Sequence, residues 1–445
     1  MNAVPAEIKP EEATATATAA RPRVVIVGGG FAGVAAARAL RRADADVVLI
    51  DRRNHHIFQP LLYQVATAVL SPAEIAAPLR QLEAEQQNLR VLLAEVTGVS
   101  LADRTIEASL PRGGVRTVAF DYLVVATGMR PNYFGHDEFA PHAPALKTLG
   151  DAESIRAKIL SAFEAAATVE DVAERARLMT FVLVGAGPTG VELAASLAQL
   201  ARVTLRGNFR QIDPSRTRIV LIDAVDRVLP TFAEPLARGV ASRLFKLGVE
   251  VRTGVKVEAV DEQGVVAGGV RIPSATVIWT AGVAASPLPK LLGGETDRAG
   301  RALVDPFLRV VGQPGVFVVG DAATVKQADG RPVPGVAQPA IQEGHYVGGL
   351  IANELKGEEA RRPFRYFDRG NMAVVGKNYA ILERGGVRMS GVLTWFVWAA
   401  IHILALPQLQ NRLRVQRQWL WSYFTGQRAS RLIPETPPAS AAERS

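Results

Sequence analysis

The sequence predicts an α/β protein that uses one parallel-sheet unit twice and ends in an amphipathic helical region. Three observations predict it. First, an apolar run at 24–27 leads into Gly28-Gly29-Gly30-Phe31-Ala32-Gly33, an alanine-rich helical stretch to Arg42, and a second apolar run at 47–50 that closes on Asp51. Second, the same order returns at 181–184, Gly185-Ala186-Gly187-Pro188-Thr189-Gly190, a helical run at 191–200, and an apolar strand at 218–222 that closes on Asp223. Third, a chain of 445 residues exceeds the size at which one hydrophobic core stops growing, so two or three domains are expected.

Strand, glycine turn, helix, strand and acid form the Rossmann-like βαβ unit that holds a dinucleotide. One glycine makes the tight turn, one lets the backbone approach a pyrophosphate, and one lets helix and strand pack closely. The helix start offers free N–H groups and the positive end of its dipole to phosphates. Asp51 is placed to accept both hydroxyls of an adenosine ribose, and the basic pair Arg52-Arg53 follows it. In the second unit the distance from glycines to acid is longer than about 20 residues, so something extra is inserted there. Asp223 favours a ribose 2′-hydroxyl over a 2′-phosphate, hence NADH over NADPH, and the nearby Arg227 leaves that preference open. Glu192 falls in the first turn of the second helix, where the dipole would stabilise its charge.

The remaining strands place three further cofactor-facing ends. Strand 121–126 ends in Thr127-Gly128, and strand 275–278 ends in Trp-Thr-Ala-Gly at Gly282. A buried run at 315–319 ends in Gly320-Asp321, where an aspartate would face a ribityl or pyrophosphate group. The first domain is therefore read as interrupted by the second. The expected division is a disordered leader at 1–21, the first dinucleotide domain at 22–148 and 286–356, the second at 149–285, a membrane-anchoring region at 357–433 and a disordered end at 434–445. Helices are expected at 71–88 and 151–176, and a strand at 90–96.

Composition narrows the chemistry. There is no cysteine, which excludes disulfides, thiolate metal sites, iron–sulfur clusters and a redox-active dithiol. His55 and His56 have no third ligand at metal spacing and read as loop histidines, so no metal is expected. The leader has no apolar core of a secretory signal. Nowhere do about 18 uninterrupted apolar residues occur, which argues against a membrane-spanning helix. The net charge of +8 is concentrated toward the end of the chain. From Gly391 to Ile433 there are five arginines, no acids and four of the five tryptophans, Trp395, Trp398, Trp419 and Trp421. Residues 392–406 are apolar but for Thr394 and His402, and Leu409, Leu413, Leu420 and Phe424 follow near helical spacing. Arginine with tryptophan on an amphipathic segment suits an anionic membrane surface. It also suits a homodimer interface. Nucleic acid is not expected, because no basic stripe exists elsewhere.

These motifs together resemble the two-dinucleotide flavoproteins. Within them the chain resembles the type II NADH dehydrogenases, single-subunit NADH:quinone oxidoreductases that bind FAD and do not pump protons. The resemblance rests on residues 54–67 (NHHIFQPLLYQVAT), on 185–192 and on Ala337-Gln338-Pro339-Ala340-Ile341-Gln342, which matches that family's Ala-Gln-x-Ala-x-Gln quinone motif. It extends through the tail at 395–433 and covers nearly everything from 22 to 433. It implies that Gly28, Gly29, Gly30, Phe31, Ala32, Gly33, Asp51, Arg52, Thr127, Gly128, Gly320 and Asp321 hold FAD, with the Val96 backbone beside adenine. It implies that Gly185, Gly187, Gly190, Asp223 and Gly282 hold NADH, and that Glu192 sits where nicotinamide meets flavin as a candidate proton relay. Gln338 and Gln342 would line the pocket of a membrane quinone, ubiquinone or menaquinone. The protein would then lie on the cytoplasmic face of the inner (cell) membrane, bound peripherally. Disulfide reductases, cysteine-dependent peroxidases and sulfide:quinone reductases share the scaffold, and the absence of cysteine removes them. A soluble NADH oxidase or ferredoxin reductase and a membrane-docked NADH sensor remain as alternatives.

Overall fold

Five parallel strands carry the first glycine turn: Val316–Val318, Tyr122–Val125, Arg23–Val27, Asp46–Asp51 and Leu89–Leu93, in that spatial order. This computed structural model describes residues 21–327, 330–359 and 362–433; all but Arg21 of the expected leader, and the end at 434–445, lie outside the described residues. The strands read as near-continuous apolar runs because both faces of a parallel sheet are covered; Val24, Val25 and Ile26 have no solvent exposure. Strand 23–27 has strand 46–51 on one side and strand 122–125 on the other. Its glycine turn thus opens where the strand order reverses, which is where open α/β sheets take ligands.

The second glycine turn rises from a four-stranded parallel sheet ordered Val249–Arg252, Arg218–Ile222, Thr180–Val184 and Thr276–Trp279. Duplication extends past the turns. In each unit a three-stranded antiparallel meander lies between the third parallel strand and the next: Glu95–Ser100, Thr105–Ser109 and Val115–Ala119 in the first, Val257–Asp261, Gly264–Ala267 and Val270–Pro273 in the second. A short antiparallel ribbon, Met129–Pro131 with Val283–Ala285, joins the two units directly after their Thr-Gly and Thr-Ala-Gly strand ends.

Several expected elements are divided. Instead of one helix over 71–88, helix Pro72–Ile75 gives way to strand Ala76–Pro78, paired with His55–Ile57, before helix Arg80–Glu85. Pro78 has no N–H to continue a helix, and the short pairing takes the segment instead. The helix expected over 151–176 is two, Leu149–Thr168 and Val172–Leu178, because Asp171 caps a new start by accepting from the Glu174 N–H. The strand expected over 90–96 turns at Ala94 from the parallel sheet into the meander. The insertion before Asp223 is a π-type turn, Leu200–Thr204, followed by a loop.

Helix Ala337–Glu354 packs on the first glycine helix, Phe31–Ala39, at backbone distance. A Cβ added at Gly344 would stand 2.1 Å from the Ala32 carbonyl oxygen, and one at Gly348 2.6 Å from that of Ala36. The tail begins with an antiparallel sheet that the sequence did not announce, Asn371–Val374, Ala380–Arg384 and Val387–Gly391. Helices Val392–Ala405 and Leu409–Thr425 follow, divided at Pro407 and ended at Gly426 with φ 71°. Among the described residues no helix is long and apolar enough to cross a membrane.

Candidate active site

The two glycine turns have the same geometry. Gly28 (φ 111°) and Gly185 (φ 107°) take backbone angles that disfavour a side chain, and each is pressed against the end of the neighbouring strand. Gly33 and Gly190 let the helix meet the turn, since a Cβ at either would stand 1.8 Å from the carbonyl oxygen of Gly28 or Gly185. At Gly30, Gly128 and Gly187 an added Cβ would meet no atom within 4 Å, so these glycines border open space. Helices 31–39 and Pro188–Gln199 start there with no side-chain cap and no acid in the first turn. Helices 149–168 and 172–178, away from the turns, are capped by Thr148 and Asp171. Uncapped N–H groups beside a turn with no Cβ form a cradle for phosphate. The residues present therefore fit a dinucleotide at both turns.

The closing acids are already hydrogen-bonded. Asp51 Oδ2 accepts from the Gly29 N–H at 2.6 Å and Oδ1 from the Arg53 N–H at 2.7 Å. Asp223 repeats this with Ala186 at 2.5 Å and Val225 at 2.9 Å. An ionised carboxylate has about four acceptor positions, so each acid retains capacity for hydroxyl donors. Arg227 turns away and donates to the Pro230 carbonyl oxygen.

Of the basic pair, the structure turns Arg52 outward to an exposed ion pair with Glu95 at 3.2 Å. Arg53 lies against Asp51 instead, and its Nε is buried with no hydrogen-bond partner. Lys147, which the sequence did not single out, interacts with Asp321 and Arg53; burial lowers its pKa, opposed by the Asp321 charge. Asp321 is next to Gly320, whose N–H donates to Glu343 Oε2 at 2.6 Å. Burial pushes the Glu343 carboxyl up to about 8. His56 is buried, its Nδ1 lies 3.0 Å from the Gly29 carbonyl oxygen, and its ring meets Phe31 edge-on, so it buttresses the turn. Thr127 Oγ1 and Ser286 Oγ are 2.5 Å apart across the ribbon that joins the units. At Gly282 a Cβ would clash with Phe134 at 2.4 Å, so this glycine accommodates a ring. Val96 is half-buried at the bulge between Val96 and Gly98. Among the described residues no cluster of His, Asp or Glu is arranged to hold a metal.

Glu192 lies in the second turn of its helix, one turn later than expected, and the dipole does not govern its charge. Its carboxyl is densely surrounded though the residue is not sealed from solvent, and it accepts from the Val374 N–H at 3.2 Å. Burial pushes it up to about 8. The two glutamines of helix 337–354 differ. Gln342 is used at both ends by Phe367, accepting from its N–H at 2.9 Å and donating to its carbonyl at 3.0 Å. Gln338 donates to the Gly370 carbonyl oxygen at 3.1 Å and keeps Oε1 buried without a partner. Gln338 is thus the one with an unused acceptor.

The tail tryptophans divide in the same way. Trp421 is 59% exposed, whereas Trp398 is buried and stacks on Trp419 at 5.2 Å. Trp419 donates through Nε1 to Gln64 Oε1 at 2.7 Å. Arg428 is buried too, and donates to the carbonyl oxygens of Thr67 and Ser196 at 2.7 and 2.9 Å. Three of the residues expected at a lipid surface therefore lock the tail to the dinucleotide units. What is left outward carries a row of large apolar side chains, Leu393, Phe396 and Leu404 on one helix and Leu409, Leu413, Leu420 and Phe424 on the next, with Arg414 and Arg417 exposed among them.

Residues 22–344 match the pyridine nucleotide-disulphide oxidoreductase family. The chain is 44% identical over 426 residues to the type II NADH:quinone oxidoreductase Ndh of Mycobacterium tuberculosis, covering 93% of this chain and 91% of the relative. It is 30% identical to the demethylphylloquinone reductase NdbB of Synechocystis, covering 91% and 96%. Its fold is similar to that of NDH2 from Plasmodium falciparum in complex with NADH, with a TM-score of 0.84 at 20% identity, over 92% of this chain and 99% of that one. The chain belongs to the pyridine nucleotide-disulphide oxidoreductase family and, within it, to the type II NADH:quinone oxidoreductases.

Proposed function

We propose that the protein is an FAD-dependent NADH:quinone oxidoreductase of a respiratory chain, moving two electrons from NADH to a membrane quinone without pumping protons. The observation that carries this reading is the doubled cradle: two uncapped helix starts behind matching glycine turns, each closed by a hydrogen-bonded aspartate. When bound, FAD supplies the two-electron chemistry that links nicotinamide to quinone. The first turn, Gly28 to Gly33, would hold its pyrophosphate, with Asp51 on the ribose. Gly128, Gly320 and Asp321 would border the rest, and Arg53 and Lys147 would add positive charge. Gly185, Gly187, Gly190 and Asp223 would hold NADH. The Gln338 amide would meet a quinone carbonyl, and Gln342 would keep segment 367–370 in place as a wall of that pocket. Glu192, protonated near neutral pH, would supply a proton as quinone is reduced.

The outward apolar face of the tail supports peripheral docking on a membrane, at its cytoplasmic face, with Arg414 and Arg417 toward anionic headgroups. Dimerisation is the competing use of that face; flotation with vesicles against mass in solution separates the two. The reaction itself is tested by anaerobic stopped-flow absorbance of the flavin. NADH should bleach it and added quinone should restore it within a turnover. Bleaching with no return on quinone addition would move the acceptor elsewhere.

A further inference from the structure

Strand register makes Gly128 and Gly282 equivalent positions in the two units. Val27 pairs with Val125 in the first sheet and Val184 with Trp279 in the second, and each glycine follows three residues later. Both take left-handed angles, φ 65° and 71°. Each strand end also presses on its own glycine turn: a Cβ at Gly28 would stand 2.3 Å from the Ala126 carbonyl oxygen, and one at Gly185 2.6 Å from the Ala281 nitrogen. What lies in front of the two glycines differs. An added Cβ at Gly128 would meet nothing within 4 Å, whereas at Gly282 it would stand 2.4 Å from Cζ and 2.7 Å from Cε2 of Phe134. The space that the first unit leaves open is filled in the second by the Phe134 ring.

Phe134 reaches that place at a conformational cost. Its φ is 58°, where the Cβ of an L residue crowds the carbonyl that follows. Leu229 and Leu308 also have positive φ, but both are fully buried, so packing offsets their strain. Phe134 is 64% exposed, and packing offsets little of its own. The turn around it is nevertheless held firmly. Asn132 Oδ1 accepts from the Phe134 N–H at 2.8 Å, and the Asn132 carbonyl oxygen accepts from Trp279 Nε1 at 3.0 Å. Tyr133 is buried against Trp279, with ring centroids 5.1 Å apart, and donates to the Ala143 carbonyl oxygen at 2.9 Å. A strained backbone that its neighbours over-determine is the kind found at ligand clamps and switches. With that backbone fixed and the ring largely in solvent, rotation to another staggered χ1 well takes the ring off Gly282.

We infer that Phe134 is an aromatic lid that the first unit lends to the NADH site: its ring covers Gly282 and is displaced when the nicotinamide dinucleotide enters. Phe134 follows Gly128 by six residues and covers Gly282, so it belongs to the segment that joins the two cofactor walls. A phenyl ring carries no charge and no hydrogen bond, so it keeps water off the wall and leaves without breaking a polar contact. The site is then competent only while the ring is away. The apparent dissociation constant exceeds the intrinsic one in inverse proportion to that fraction of time.

The lid rests on the reading of the second glycine turn as the NADH site, and calorimetric titration of the flavin-loaded enzyme with NAD+ separates the two. NAD+ enters that site without reducing the flavin. Phe134→Ala should tighten NAD+ binding roughly tenfold, the factor for a ring that is away about one-tenth of the time. Phe134→Leu keeps an apolar side chain but lacks the ring atoms nearest Gly282, and should tighten binding by a similar factor. The KM for NADH should fall with the dissociation constant in both. Flavin content establishes that each variant is folded. Gly187→Ala is the control, since it borders the same turn and should weaken NAD+ binding whatever the ring does. Unchanged or weaker binding in Phe134→Ala, with Gly187→Ala weakened, overturns the lid and makes the ring a packing group or a platform for bound nicotinamide. A Gly187→Ala enzyme that binds NAD+ as the parent does overturns the reading of the turn, and the lid with it.

Discussion

Gly187 and Gly190 stand one helical turn apart and act oppositely. A Cβ at Gly190 would press 1.8 Å from the Gly185 carbonyl oxygen and 2.7 Å from Thr280 Oγ1, whereas one at Gly187 would touch nothing within 4 Å. Gly190→Ala should therefore destabilise the protein by about 1–3 kcal/mol or more, as overpacking does. Gly187→Ala should leave the melting temperature unchanged and raise the KM for NADH roughly tenfold, about 1.4 kcal/mol of lost binding. The two readouts, thermal melting and steady-state kinetics, should separate the variants cleanly. Glu343 gives a residue-scale test by pH. Burial holds its carboxyl proton in the folded protein up to about 8, above the ordinary value of 4.5. Its stability contribution is therefore fully present below 4.5 and is lost as pH rises through about 8. Glu343→Gln keeps an oxygen for the Gly320 N–H and has no proton to lose, so its melting temperature should fall less across that window. The glycine turns and the hydrogen-bonded acids that close them were legible in the sequence because their local geometry depends on a few adjacent residues. The outward turn of Arg52 and the inward turn of Arg53, like the placement of Lys147, His56 and Glu343, depend on which way a side chain faces across the fold, which adjacent residues do not determine.

At the scale of elements, the tail shows where composition informs and where it misleads. An apolar run at 392–406 and apolar residues at helical spacing after it announced an amphipathic helical tail, and the structure leaves Leu413 at 58%, Leu420 at 53% and Phe424 at 79% exposure on the second of its two helices. Tryptophan and arginine content suggested a lipid surface throughout, yet Trp419 and Arg428 face inward because their polar ends found partners on other segments, and Trp398 because its ring stacks on Trp419. The sheet 371–391 went unread, since its strands are short and two are half-exposed. Only the outward stripe should matter for docking. Replacing Leu413, Leu420 and Phe424 together by serine should release the protein from anionic vesicles, each lost side chain weakening partition by roughly 1 kcal/mol or more. Turnover with a water-soluble quinone analogue should persist in this variant. Co-sedimentation as tight as that of the parent enzyme would assign the stripe to something other than lipid.

For the whole molecule, the question is what holds three separate stretches of chain in one catalytic arrangement. Arg428 reaches from beyond the last helix to the turn at Thr67 and to Ser196 on the second glycine helix. All of these partners are neutral, and burial lowers the guanidinium to about 9. A buried cation without an acid is costly, so its retention must be offset by what it bonds. The carbonyls of Thr67 and Ser196 sit at the junction of the first unit, the second unit and the tail, and the fork geometry of arginine serves both at once. Arg428→Met would remove the charge penalty but leave the buried Thr67 carbonyl unpaired, at about 1–3 kcal/mol, and strip the Ser196 carbonyl and hydroxyl of their second donor, the carbonyl keeping only the Leu200 N–H. The balance should be a net loss, felt first as release of the tail. Arg428→Met should therefore become sensitive to proteolysis near Gly426 at temperatures where the dinucleotide units remain folded and retain flavin. Arg428→Lys keeps the charge but cannot bridge two carbonyls in a plane, and should be protected little better. If Arg428→Met resisted protease as well as the parent, the stacked Trp398–Trp419 pair and the Asn411 bond to the Ala76 carbonyl would be the joints that hold the tail.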